Sequence, residues 1–206
     1  MTDALRPHLI RERLRGLGDR PRYRLFSERG GAEGIPLRPA AVLIALTEIE
    51  GEMHVVLTQR SRALKEHSGE VSFPGGKADP EDNGLLDTAL REAEEEIRLM
   101  REAVTPHGIL LSMPTITGYE VKAFVGEYGQ PYSLSINPNE IESLLLAPLV
   151  ELADPERHHI EDREFRGKRY PIHFFDIRGY TVWGATGLMV HTLLDFLGAR
   201  VHTTTE

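Results

Sequence analysis

Three glutamates, Glu92, Glu95 and Glu96, stand in the run GGKADPEDNGLLDTALREAEEEIRL at positions 75–99, with the types and spacing of a cation site. At about 100° per residue on an α-helix they fall within an arc of about 100°, so one helix face presents three carboxylates. Like charges one turn apart repel by a few tenths of a kcal/mol per pair, which a bound cation would reverse. Oxygen ligands with positions left for water and phosphate oxygens suit the hard divalent ions Mg²⁺ and Mn²⁺. A Glu-rich helix face is also commonly just solvated. The neighbours weigh against that reading: Arg91 can pair with a carboxylate and fix its rotamer, and Gly75 and Gly76 allow the backbone close to a metal or a phosphate, offering carbonyls as further ligands.

The helix must do a second job. Leu86, Leu90, Ala93 and Ile97 form an apolar stripe rotated away from the glutamates, suited to packing on a core. Before the glycines, residues 40–46 and 54–58 read as strands joined across an acidic connection with Gly51, a hairpin pattern. Between strand and glycines come Arg60, Arg62, Lys65 and His67, donors of the kind that position phosphate groups, although basic residues after a strand are often simply solvated. Further strands are expected at 108–111 and 121–125, with Tyr119 and Phe124 as core residues or pocket walls. Residues 161–177 read as a hairpin turning at Arg166-Gly167. A final helix is expected over 181–197, on the spacing of Trp183, Thr186, Val190, Leu193 and Leu197. At the other end, Leu5, Leu9, Leu14 and Leu17 suit a surface-packed helix over 4–17, a glycine-rich stretch follows at 30–36, and residues 202–206 read as a frayed tail.

The 206 residues suffice for a single domain with one full core, the first 35 forming a lead-in segment and the last seven a tail. Cysteine is absent, which excludes disulfides, thiol nucleophiles and thiolate metal sites. A net charge of −8 argues against broad nucleic-acid binding, so a polyphosphorylated substrate needs a local basic patch and a metal. No apolar run is long enough to span a bilayer and residues 1–19 lack a signal-like apolar centre, so a cytoplasmic enzyme is expected. The nine histidines show no His-Glu-x-x-His helix or other metal-ligand spacing, and no zinc site is expected from them. Oligomeric state is not legible.

The glutamate run resembles the Nudix box, whose pattern is Gly, five residues, Glu, seven residues, then Arg-Glu-apolar-x-Glu-Glu-x-Gly-apolar. Gly76, Arg91, Glu92, Ala93, Glu95, Glu96 and Leu99 match. Asp82 replaces the first Glu, one extra residue lies between Asp82 and Arg91, and Arg98 stands where the box has Gly, which is expected to alter how the helix ends. The preceding block, with Leu57-Thr58, Arg60-Ser61, Leu64, His67, Gly69-Glu70 and Phe73-Pro74-Gly75-Gly76, resembles the coenzyme A pyrophosphatase subgroup. Asn137-Pro138, Glu140-Ile141, Pro148-Leu149 and the residues 173–176 and 179–184 extend the likeness.

The resemblance implies an α/β/α sandwich with a mixed sheet, the box helix on one side and the C-terminal helix on the other. It implies metal-dependent hydrolysis of coenzyme A and its derivatives to 4′-phosphopantetheine and adenosine 3′,5′-bisphosphate. Glu92, Glu95, Glu96 and the Gly76 carbonyl would hold Mg²⁺ or Mn²⁺. Glu92 is the first candidate for the general base and Glu140 the second, with Arg91 in the catalytic set. Arg60, Lys65, His67, Gly75 and Gly76 would contact substrate, Arg60 at the 3′-phosphate. Other nucleoside diphosphate derivatives, such as NADH or ADP-ribose, are the nearest alternative substrates. A non-catalytic nucleotide sensor is the distant one, since such modules tend to lose box glutamates and all three are present.

Overall fold

The computed structural model describes residues 2–24, 36–63, 67–165 and 167–199. A short turn of 3₁₀-helix, Thr2–Leu5, leads into α1, Pro7–Leu14, with proline in its first turn where no N–H is needed. Then follow β1 (Tyr23–Arg24), β2 (Arg38–Ile49), β3 (Glu52–Arg60), β4 (Val71–Ser72), β5 (Gly75–Lys77) and the box helix α2 (Leu85–Ile97). The second half contains β6 (Val104–Pro114), β7 (Tyr119–Tyr128), β8 (Ile141–Pro148), the single turn α3 (Leu149–Leu152), β9 (His158–Phe165), β10 (Lys168–Ile177), β11 (Tyr180–Val182) and α4 (Gly184–Phe196).

The large sheet runs β1-β6-β7-β2-β3-β4, with β5 added to β2 and β8 to β3, while β11-β10-β9 form a second sheet. β2 pairs parallel with β7 and antiparallel with β3 and β5, so the large sheet is mixed. Alternation along β2 builds two cores at once. Ala41, Leu43 and Ala45 pack with Ala89, Ala93 and Ile97 of α2. Ile44 and Leu46 point the other way, into a core shared with Val190, Leu193 and Leu194 of α4. The expected sandwich is therefore present, with α2 and α4 on opposite faces.

The β2–β3 turn is Glu50-Gly51, both at positive φ, the two-residue geometry whose twist matches the flanking strands. All four expected strands are present and longer than read, because pairing continues beyond the apolar runs. The 161–177 hairpin is likewise found, with Phe165 paired to Lys168, and Arg166 lies outside the described residues. So do Leu64, Lys65 and Glu66, all of the 30–36 stretch but Pro36, and the tail from residue 200.

Two local readings need correction. The final helix does not begin at Thr181: Tyr180, Thr181 and Val182 pair back onto Ile177, Asp176 and Phe175 around a tight Arg178-Gly179 turn. Aromatic and β-branched residues favour that strand, and Trp183, counted as a helix-face residue, is half exposed before the helix starts. Second, Arg98 takes the left-handed cap conformation itself, φ 56° and ψ 30°, so the helix end is preserved. Its N–H and that of Leu99 bond the Glu94 and Ala93 carbonyls, and the Tyr132 hydroxyl donates to the Arg98 carbonyl at 2.8 Å. Left-handed backbone costs an L-residue about 1–2 kcal/mol and glycine returns about 0.5–1 kcal/mol in entropy, so Arg98→Gly is expected to stabilise by roughly 0.5–1 kcal/mol. A thermal melt checks this, and turnover should not change.

Candidate functional site

The glutamates of α2 are not equivalent. Their side chains are 15% exposed at Glu92, 53% at Glu95 and 3% at Glu96, so the stripe turns around the helix from solvent at Glu95 into the protein at Glu92 and Glu96. The apolar stripe is rotated correspondingly: Ala89, Ala93 and Ile97 are fully buried, whereas Leu86 and Leu90 are only partly covered. Small residues at 89 and 93 bring the helix close to β2, which carries Glu96 inward.

Arg91 organises the helix's outer edge. Its Nε and Nη2 donate to both Asp82 oxygens at 2.9 and 3.2 Å, its Nη1 to Glu92 and Glu95 at 3.0 Å each, and its Nη2 to the Lys77 carbonyl at 3.1 Å. With its donors spent on the protein, Arg91 is a positioning residue. Asp82 completes the frame by accepting from the Asp79 N–H and the Thr88 hydroxyl, and the Arg91 hydrogen bond holds its carboxyl far below the usual range. The shorter side chain and extra residue thus still close an acid–arginine clamp, a pair that sequence could flag only as a departure.

Gly75 and Gly76 are constrained from two sides. Gly75 lies against β2, where an added Cβ would fall 2.6 Å from the Val42 Cα and nearer still to the Ala41 carbonyl oxygen. Its backbone N–H draws the Glu96 carboxyl down. At Gly76 an added Cβ would fall 2.5 Å from the Glu92 Cδ. The backbone there is a wall against which the Glu92 carboxylate rests.

Glu140 is held at the same place. Segment 135–140 is laid across the end of α2 by the Ser135 N–H on the Ile97 carbonyl and the Asn137 N–H on the Glu96 carbonyl, and Asn137 Nδ2 donates to Glu140 Oε1 at 3.2 Å. Arg60, paired with Ile141 at the end of β3, points its Nη1 to 3.7 Å from Glu96 Oε1. His67 is placed differently: its Nδ1 meets Glu70 at 2.8 Å in an exposed turn. Lys65 lies outside the described residues. Phe124 is core beneath α2, and Tyr119 stacks under Arg38 at 4.1 Å.

The electrostatics are those of a site short of positive charge. Burial pushes the Glu96 carboxyl up to about 8, Glu92 and Glu140 add to the rise, and Arg60 with the Gly75 N–H only partly opposes it. Burial also raises Glu92 against the pull of Arg91. Glu96 Oε2 is buried with no hydrogen-bond partner among the described residues. Orphaned, mutually repelling carboxylate oxygens beside a glycine backbone fit a hard, oxygen-seeking dication.

Residues 36–167 match the NUDIX domain. The chain belongs to the Nudix family. Nudix hydrolases act on pyrophosphate bonds and generally use divalent metal ions, typically Mg²⁺ or Mn²⁺. Among its relatives, the Nudix hydrolase NudL of Photorhabdus laumondii is 36% identical over 76% of this chain and 83% of its own length. Nudix hydrolase 15, mitochondrial, of Arabidopsis thaliana is 40% identical over 73% of this chain and 56% of its own. In fold, the Nudix hydrolase RenU of M. Smegmatis is similar at a TM-score of 0.50, with 22% identity over 63% of this chain and 81% of that one. Among the described residues of this Nudix chain no helix is long and apolar enough to cross a membrane.

Proposed function

We propose that this Nudix hydrolase cleaves the pyrophosphate bond of coenzyme A and its derivatives, giving 4′-phosphopantetheine and adenosine 3′,5′-bisphosphate, in the cytoplasm. The supporting observation is where the substrate-reading block is anchored. Arg60, inside the run at 57–76 that resembles the coenzyme A pyrophosphatase subgroup, faces Glu96 rather than solvent. A guanidinium and a carboxylate cluster on one wall suit the two ends of a diphosphate and its counter-ion.

Glu92, Glu95, Glu96 and the Gly76 carbonyl would hold Mg²⁺ or Mn²⁺, which when bound neutralises diphosphate charge and acidifies water. Arg91 orients Glu92, which takes the proton of the water attacking phosphorus in line. Glu140, fixed by Asn137, is the second candidate for that proton. Arg60 donates to a phosphoryl oxygen. No covalent intermediate is required.

The position of Arg60 beside Glu96 supports a contact with the diphosphate in place of the 3′-phosphate. A charge-assisted hydrogen bond contributes about 1.5–3 kcal/mol. Arg60→Ala should therefore raise KM by roughly 10–100-fold, and by the same factor for coenzyme A and its 3′-dephosphorylated form. A loss confined to coenzyme A would return Arg60 to the 3′-phosphate.

The reaction itself is tested by mass spectrometry of products formed from coenzyme A, Mg²⁺ and ¹⁸O water, beside a Glu95→Gln control. The two named products should appear only with the intact glutamate, and the one carrying heavy oxygen identifies the phosphorus attacked. Cleavage of NADH or ADP-ribose with coenzyme A untouched would overturn the substrate, and binding without any turnover would make the chain a sensor.

A further inference from the structure

We infer that His158, His173 and His191 form a second metal site, for a borderline divalent ion of the Zn²⁺ type, which clips α4 to the β9–β10 hairpin. The three residues lie far apart in sequence and share no ligand spacing, yet a ring nitrogen from each lies within 4.8 Å of the others. Strand pairing accounts for the first two. His158 is opposite Phe175, and His173, two residues earlier, projects from the same face. Gly187 brings in the third: an added Cβ there would fall 3.3 Å from the carbonyl carbon of His173, so α4 rests directly on the β10 backbone and His191, one turn on, reaches the pair.

The cluster lacks what ordinary buried histidines have. His158 Nε2 and His173 Nδ1 share one hydrogen bond of 2.9 Å, while the buried Nδ1 atoms of His158 and His191 have no hydrogen-bond partner among the described residues. His158 and His173 are 6% and 8% exposed and stack within 5.2 Å of each other, with His191 4.0 Å from His173. Burial and neighbouring imidazoles hold His158 and His173 down to about 4, and burial lowers His191, so all three offer neutral lone pairs at pH 7.

Imidazole sets without carboxylate or thiolate select Zn²⁺, Ni²⁺, Cu²⁺ and Co²⁺ over Mg²⁺, the opposite preference to the glutamate cluster. Ligand nitrogens around a tetrahedral Zn²⁺ lie about 3.4 Å apart. One pair, at 2.9 Å, is already closer than that, and the His191 ring, stacked 4.0 Å from His173, turns to bring its nitrogen to the same point when the ion binds. Three protein ligands leave the fourth position to water, on the partly exposed His191 side.

The test is Zn²⁺ titration of tag-free full-length protein in excess Mg²⁺, which occupies the glutamates. One Zn²⁺ per chain should bind, and a hundredfold excess over Kd should raise Tm by about 5–10 °C. His191→Asn should weaken binding by at least about 100-fold, whereas Glu92→Gln/Glu95→Gln should leave it unchanged. Equal binding by His191→Asn, or loss only with the glutamates, overturns the site. Should the histidine variant fail to fold, imidazole ¹⁵N spectra of the wild-type protein decide: Zn²⁺ must shift all three rings, and unshifted rings sink the inference.

Discussion

Glu92→Gln is expected to lower kcat by about 10²–10⁴-fold, the range over which a positioned general base contributes. The amide keeps an oxygen for Arg91 Nη1, so the clamp to Asp82 and the fold should survive, and circular dichroism should match wild type. Glu140→Gln should cost less than about tenfold, since the base role is assigned to Glu92 and Glu140 is only its neighbour. Single-turnover measurements on both variants at saturating Mg²⁺ separate chemistry from metal affinity. A larger loss at Glu140 would reverse the two roles, and it would fit the tether that Asn137 provides.

The second large effect divides two adjacent glycines. Gly75→Ala drives a methyl into the β2 backbone at Ala41 and Val42, where no side chain can yield, and should destabilise the protein by about 3 kcal/mol. That corresponds to a Tm lowered by roughly 6–12 °C in a chain of this size. Gly76→Ala meets only the carboxyl end of Glu92. It should cost under about 1 kcal/mol of stability yet about 10²-fold in kcat, because a catalytic group displaced by about 1 Å loses that much. Melting curves and rates on both variants give the test. Full activity in Gly76→Ala would mean that the Glu92 carboxylate works elsewhere than against that backbone.

Much of this was readable from residue order, and the exceptions share a cause. The glutamate stripe, the Arg91 pairing and the β2–β3 hairpin depend on contacts within a turn or two of chain, where spacing is the geometry. The unequal burial of Glu95 and Glu96 depends on how deeply alanines 89 and 93 let the helix sink, which periodicity near 100° per residue does not resolve. Arg98 misled because a glycine preference is a free-energy bias, and a cap with three further hydrogen-bonding partners can impose the same backbone on arginine. The sequence 180–183 misled because helix and strand patterns overlap over four residues, and the tight turn at 178–179 decided the outcome. The histidine cluster was invisible for the strictest reason: its members meet through strand register and helix docking, neither of which leaves a mark at fixed spacing.

The hydrogen bonds that lay residues 135–137 over the end of α2 make the acidic half of the site a closed frame, carrying Glu92, Glu96 and Glu140 together. The segment after Arg60 is attached to it differently, as an excursion pinned at its neck by the Arg60 N–H on the Glu70 carbonyl and the Gly69 N–H on the Arg60 carbonyl. Ser61, the first residue past the neck, is tied to that frame by its N–H on the Glu140 carbonyl, so an exchange there reaches the carboxylates through the backbone. Exchanges past Ser61 are therefore expected to spare the hydrolytic frame, whereas an exchange at Ser61 is expected to shift Glu140 as well.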